Sequence, residues 1–238
     1  MSLKVKNKVG NSAELYIYGD IVDNTDFKWD EYDVMPQDVK NTLDQLSDVS
    51  ELNIYINSGG GSVFSGNTIA QLLKRHKAYK TVYVDGVAAS IASVIALAGD
   101  RVIIPSNAYF MIHNAWSGGV GSAGDFRKMA NTLDKIDEGI LNTYSENLRE
   151  GVDIATIKRM VEDETWMTGD EAAKYFNVEV TDAVNAAASA SDFYGKYHKT
   201  PDKLVVKDKK EPDKEPKIIQ FSDIEKQQYQ NELDLLNL

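Results

Sequence analysis

Three short segments hold residue types that could do chemistry together. Asn57-Ser58-Gly59-Gly60-Gly61-Ser62 follows the apolar run LNIYI and precedes a helical pattern. Glycines at such a turn leave backbone N–H groups approachable, which suits an oxyanion or a phosphate. Gly86-Val87-Ala88-Ala89-Ser90-Ile91-Ala92-Ser93 also joins a strand to a helix and puts a serine, flanked by small residues, where orphan helix amides could stabilise a developing negative charge. A tightly packed helix of small residues would give the same pattern. Of three histidines, His76 closes a helix, His198 stands beside a charged stretch, and His113 alone ends an apolar strand, YFMIH. A lone histidine after a strand is more often structural. A serine, a histidine and a glycine turn at three strand ends are nevertheless the parts of a serine hydrolase, with His113 as general base.

The phosphate alternative is weak. GGGSVFSG lacks the Lys-Ser/Thr of a nucleotide loop, and no GxGxxG follows a strand.

These parts need a frame. Alternating apolar residues predict strands at 14–21, 52–57, 81–85, 101–104, 109–113 and 178–184. Between them the spacing predicts helices from Pro36 to about Leu46, from Gly66 to His76 and from Ser90 to Ala98. From Ser122, SAGD offers a capping box, and Phe126, Met129, Leu133, Ile136, Ile140, Tyr144 and Leu148 recur at helical steps, predicting one long amphipathic helix. A shorter helix spans Ile154 to about Asp163. Strands alternating with helices over this length indicate an α/β fold with a mainly parallel sheet.

The whole chain of 238 residues is 42% hydrophobic and 26% charged, enough for one α/β domain with a sizeable core plus a tail. A formal charge of -11 argues against nucleic acid as a partner. With no cysteine there is no disulfide, thiolate nucleophile or thiolate metal site, and no cofactor or metal is implied. The start shows no secretion signal, and the run Val87–Ala98 is too short for the roughly 20 residues that span a bilayer, so a cytoplasmic protein without membrane contact is expected.

The division expected is a catalytic domain over 1–190, a disordered charged linker over 191–217 and a docking segment over 218–238. AAASAS is low in complexity, and 199–217 holds three of the chain's five prolines among charged residues, a composition that resists ordering. IIQFSDIEKQQYQNELDLLNL then regains apolar residues, with Ser222 and Glu225 spaced as a capping box. A chain cut near Ser191 is expected to fold and to keep its hydrolase activity.

Together, INSGGGSVFSG at 56–66, the run DGVAASIASVIALAGDRVIIPSNAYFMIHNAWSGGVGSAGD at 85–125 and ETWMTGDEAAKYF at 164–176 resemble the Clp-type serine peptidases. ELYIYGDI, Trp29, Asp33, Trp166 and the appended tail resemble the phage-encoded members of that family that act as head maturation proteases. The resemblance implies the Clp/crotonase-like fold. It implies Ser90 as nucleophile, His113 as base and an oxyanion hole from the amides of Gly61 and Ile91. The third member falls on Glu164, where the family usually has aspartate, with Asp163 and Glu162 as neighbouring candidates. Gly59 stands where the family usually has proline. Gly118, Gly119 and Val120 would line the substrate as an adjoining strand. The protein would assemble as homo-oligomeric rings, heptameric and stacked through the long helix, around protein substrates. Its partners would be phage capsid, scaffold or portal proteins.

Three other readings compete. A housekeeping Clp-type subunit would need an ATPase partner, because nothing in this chain binds ATP. A crotonase-type enzyme would use the glycine-turn amides without a Ser90–His113 pair. A non-catalytic assembly protein would leave Ser90, His113 and both glycine turns unexplained.

Overall fold

The computed structural model describes residues 3–24, 32–183 and 191–204. Eight strands form one sheet, β1 (Leu3–Val9), β2 (Ser12–Tyr18), β3 (Glu51–Ser58), β4 (Tyr79–Ala89), β5 (Arg101–Pro105), β6 (Tyr109–Ile112), β7 (Thr165–Thr168) and β8 (Glu179–Thr181). Six helices accompany them, α1 (Pro36–Gln45), α2 (Val63–Arg75), α3 (Ile91–Ala96), α4 (Ala123–Glu146), α5 (Ile154–Glu162) and α6 (Gly169–Ala172). The main path of the sheet runs β1-β2-β3-β4-β5-β8, with β6 paired to β4 and β7 to β6. All pairings are parallel except β1 with β2 and β6 with β7. The mainly parallel α/β sheet expected from the sequence is therefore present.

Strand alternation decides which face is buried. Leu15, Ile17, Leu52, Ile54, Ile56, Val82 and Val84 are fully buried in the main core. Their alternates Tyr16, Tyr55 and Tyr83 lie in register and stack ring on ring at 4.7 and 5.1 Å.

β4 positions the site. Its first half pairs with β5 through Thr81–Tyr83 and its second half with β6 through Val87–Ala89. The β3–β4 register shifts between Ile56 and Ser58, so four steps of β4 oppose two of β3. An irregularity of this kind bends a strand and re-aims its end. β4 therefore extends beyond the expected 81–85, reaching Ala89, and delivers Ser90 from the strand's last residue rather than from inside a helix.

Two strands were not expected, β1 and the four-residue β7. TWMT is too short for alternation to show, and it exists as a strand because β6 offers it an antiparallel edge. α4 begins as expected. The Ser122 side chain accepts from the Asp125 N–H while the Asp125 carboxylate accepts from the Ser122 N–H. Of its apolar residues Ile140 and Tyr144 are buried, whereas Phe126 is about half exposed.

The structure departs from the expected linker at its first stretch. Tyr194, Tyr197 and Leu204 are buried with Val87, Ala89 and Met111 in a second apolar cluster, flanked by Phe193, Tyr109 and Trp166. The stretch SDFYGKY carries three aromatics, and each aromatic ring buries enough area to offset ordering that the polar residues around it cannot. Residues 1–205 form one compact unit, so the boundary lies about fifteen residues later than the expected end of the catalytic domain at 190. The rest of the expected linker, the docking segment 218–238 and Trp29 lie outside the described residues. No helix among the described residues is long and apolar enough to cross a membrane.

Candidate active site

Parallel pairing of β4 with β6 places Ala89 opposite Met111, and the Ser90 N–H donates to the Met111 carbonyl at 2.9 Å. The residues just beyond, Ser90 and His113, therefore meet at the carboxyl ends of adjacent strands, where parallel sheets commonly bind ligands. His113 Nε2 lies 2.7 Å from Ser90 Oγ. With the imidazole neutral and its proton on Nδ1, the hydroxyl donates to Nε2, as attack by a serine requires.

Ser90 has φ 55° and ψ -128°. A non-glycine residue in this region is strained by about 1–3 kcal/mol and is found where the fold enforces it. Here it turns the chain sharply from β4 into α3, with Ile91, Ala92 and Ser93 buried behind it. Ser93 Oγ donates to the Ser90 carbonyl at 2.6 Å and lies 2.8 Å from the buried Tyr144 hydroxyl, tying the turn to α4.

The glycine turn is bolted to Ile21. The Ile21 N–H donates to the Gly60 carbonyl at 2.7 Å and the Ser62 N–H to the Ile21 carbonyl at 2.8 Å. In a parallel bridge the residue between two such bonds points its own N–H to the other side. Gly61 is that residue, and it lines the cavity that holds Ser90 and His113. Ile91 opens α3, where the first amides have no intrahelical acceptor. Both predicted oxyanion donors thus belong to segments that border the serine.

The cavity has a volume of about 590 Å³. α4 supplies one wall through Met129, Leu133 and Ile136, the segment after His113 another through Ala115 and Trp116, and the 191–204 segment a third through Phe193 and Tyr197. The Ala115 N–H donates to Asp137 of α4 at 2.7 Å, holding that segment beside the helix. Gly118, Gly119 and Val120 are exposed and lie outside this lining.

Of the three acidic candidates, Glu162 and Asp163 are exposed and Glu164 is buried. Glu164 has φ 48°, a second left-handed non-glycine residue beside the site. Its carboxylate accepts from the backbone N–H groups of His198 at 2.9 Å and Lys199 at 2.6 Å. Among the described residues no hydrogen bond joins it to His113, on which it acts through its charge. Burial of the imidazole pushes the His113 pKa down to about 4, against the Glu164 charge, which raises it, while nearby His198 lowers it further.

The residues that the sequence reading missed are those of the 191–204 segment. Tyr197 packs edge to face with the His113 ring at 5.0 Å, and its hydroxyl donates to the Gly59 carbonyl at 2.6 Å. Asp20, whose pKa burial raises to about 6, accepts from Ser191 Oγ at 2.5 Å. The signal was the aromatic spacing in FYGKY, masked by the charged composition around it. Trp166 Nε1 and the Tyr194 hydroxyl are buried there with no hydrogen-bond partner among the described residues. The segment is held by these clamps together with the apolar burial of Tyr194, Tyr197 and Leu204.

Residues 26–179 match the Clp protease family. The chain is 33% identical over 142 residues to an ATP-dependent Clp protease proteolytic subunit of Leuconostoc citreum, covering 56% of this chain and 68% of that protein. It is 29% identical over 136 residues to the subunit of the same name from Bacteroides fragilis, spanning 56% of this chain and 64% of the relative. Among solved structures it resembles a ClpP1 point mutant from Listeria monocytogenes, with TM-score 0.57 and 27% identity, covering 71% of this chain and 91% of that one. The matched region contains the glycine turn, Ser90, His113 and Glu164, and this chain belongs to the Clp protease family.

Proposed function

We propose that the chain is a serine endopeptidase in which Ser90 attacks a peptide carbonyl while His113 takes the hydroxyl proton. The 2.7 Å contact between Ser90 Oγ and His113 Nε2, at the floor of an open cavity, carries this reading. The amides of Gly61 and Ile91 bind the tetrahedral oxygen, and His113 then gives its proton to the leaving amine. Glu164 stabilises the imidazolium through its charge. No cofactor or metal takes part.

The decisive experiment is a fluorophosphonate probe with peptide mapping. A single adduct on Ser90 is expected, whereas a crotonase-type or non-catalytic protein would give none. An adduct on Ser93 would shift the register of the whole assignment.

The names of the relatives, ATP-dependent Clp protease proteolytic subunits, favour a subunit that works with an ATPase partner. We adopt that reading over phage head maturation, for which ELYIYGDI, Asp33 and Trp166 are the support among the described residues. In a ring of such subunits α4 would form the contact between rings, consistent with the exposed Phe126 near its start, and the exposed Gly118–Val120 backbone would pair with a substrate strand.

The depressed His113 pKa sets a pH dependence. The folded chain holds the imidazole neutral to about pH 4, while an unfolded chain takes up the proton near 6.5. Stability contributed by this neutral group is thus full above 6.5 and is lost as the pH falls from 6.5 toward 4. The base itself stays competent, so kcat/KM for a short peptide is expected to fall to half near pH 4 rather than 6.5. A titration of peptide hydrolysis from pH 3.5 to 8 checks this.

A further inference from the structure

Residues 191–204 form a strap that crosses from Asp20 to Glu164 beside the Ser90–His113 pair. Ser191 is fixed at one end by Asp20, and His198 and Lys199 are fixed at the other by the Glu164 carboxylate. The Lys199 ammonium also donates to the Asp163 carbonyl, and Thr200 Oγ donates to the Tyr194 carbonyl at 2.7 Å. Between the clamps, Tyr197 presents its ring to His113 and its hydroxyl to the Gly59 carbonyl and the Ser90 side chain.

The glycine turn is shaped for this strap. A Cβ on Gly59 would lie 2.1 Å from Ser191 Oγ and 2.5 Å from Ser191 Cβ. A Cβ on Gly60 would meet Ser90 Cβ at 2.8 Å and the Tyr197 hydroxyl at 3.2 Å. The same turn therefore has to be bare on two sides, toward the nucleophile and toward the strap. The strap also leaves Ser90 partly exposed and forms a wall of the open cavity rather than filling it.

We propose that Tyr197 is a positioning residue for His113, and that the strap, clamped by Glu164, is a built part of the catalytic centre. The proposal rests on the serine peptidase reading above. A catalytic imidazole must be held in one orientation through proton transfer, usually by a hydrogen-bonded carboxylate. Here the carboxylate of Glu164 spends its bonds on strap amides, and the strap returns the constraint through an aromatic ring packed on the imidazole. Glu164 thus acts on His113 twice, through its charge and through the residue that it holds down.

The test compares Tyr197→Ala, Tyr197→Phe and Gly59→Ala in the full chain. The readouts are fluorophosphonate labelling of Ser90 and the pH profile of peptide hydrolysis. The groups whose charge reaches His113 are Glu164 and, on the strap, His198. From α4 the cavity wall is uncharged, formed by Met129, Thr132, Leu133 and Ile136. Losing the ring re-solvates the imidazole and so relieves the burial that holds its pKa down, which moves the acid limb upward.

Tyr197→Ala is expected to slow acylation roughly ten- to hundredfold and to move the acid limb from about pH 4 toward 6.5. Tyr197→Phe keeps the ring on His113 and removes only the hydroxyl's contacts with Gly59 and Ser90, so it is expected to keep the wild-type acid limb even where acylation slows. Gly59→Ala, which expels Ser191 while leaving Tyr197 intact, is expected to move the limb as Tyr197→Ala does. If Tyr197→Ala does not fold, Gly59→Ala against Tyr197→Phe carries the same comparison. An unmoved acid limb in folded Tyr197→Ala or Gly59→Ala overturns the proposal, and faster hydrolysis with an unmoved limb would make the strap an inhibitory cover instead. Absence of Ser90 labelling in the wild type would instead refute the peptidase reading, a distinct failure.

Discussion

Ser90→Ala is expected to abolish peptide hydrolysis, with a loss of about five to six orders of magnitude in kcat, while the protein folds as before. Alanine tolerates the φ of 55° about as well as serine does, so the strained turn from β4 into α3 is unchanged, and what disappears is the bond to His113 Nε2 and the hydroxyl's contact with Tyr197. Removing the nucleophile of a serine peptidase leaves the oxyanion donors and substrate binding, which retain a small residual rate. The measurement is single-turnover hydrolysis of a chromogenic peptide, with circular dichroism and thermal unfolding on the same preparation. A variant that folds and still turns over within tenfold of the wild type would refute Ser90 as the nucleophile.

Gly61→Ala should come second. The glycine has φ +140°, and a Cβ there would lie 2.1 Å from the Ile21 carbonyl oxygen and 2.9 Å from its carbon and nitrogen. Those atoms are backbone and belong to the bridge that holds the turn, so they cannot swing aside as a side-chain tip would. The bridge must open, at a cost of about 1–3 kcal/mol for the strained residue alone. As it opens, the Gly61 N–H swings away from the position of the developing oxyanion. Loss of one such donor slows acyl transfer about 10²–10³-fold. Because the amide acts on the transition state, the loss should fall on kcat with KM little changed. Acylation of Ser90 at the wild-type rate in folded Gly61→Ala would remove Gly61 from the oxyanion hole.

The parallel α/β frame was legible because the strand and helix periods are long and alternate. LNIYIN and TVYVDG carry period 2, and SAGD followed by seven apolar residues at helical steps carries period 3.6. Ser90, His113 and the glycine turn were legible for a related reason. Each stands at the end of a predicted strand, and in a parallel sheet such ends converge whatever the details of packing. Glycine types at 60 and 61 were equally readable, since close backbone approach excludes every larger residue.

Tertiary structure alone decided the rest. No local pattern says that β4 shifts register against β3 and so passes from β5 to β6, yet that shift is what carries Ser90 to His113. β7 exists because β6 has a free edge, a fact outside its four residues. The role of Glu164 and the course of 191–204 were hidden together. Composition marks SDFYGKYHK as the beginning of a polar linker, because it counts lysines and aspartates and cannot see where three aromatic rings land. They land on Val87, Ala89, Met111 and His113, a surface assembled from strands about 80 to 110 residues earlier in the chain. Burial depends on that surface, and so does the choice of Glu164 to bond strap amides rather than the imidazole. Sequence order conveys which groups are available, and the fold alone decides which of them face one another.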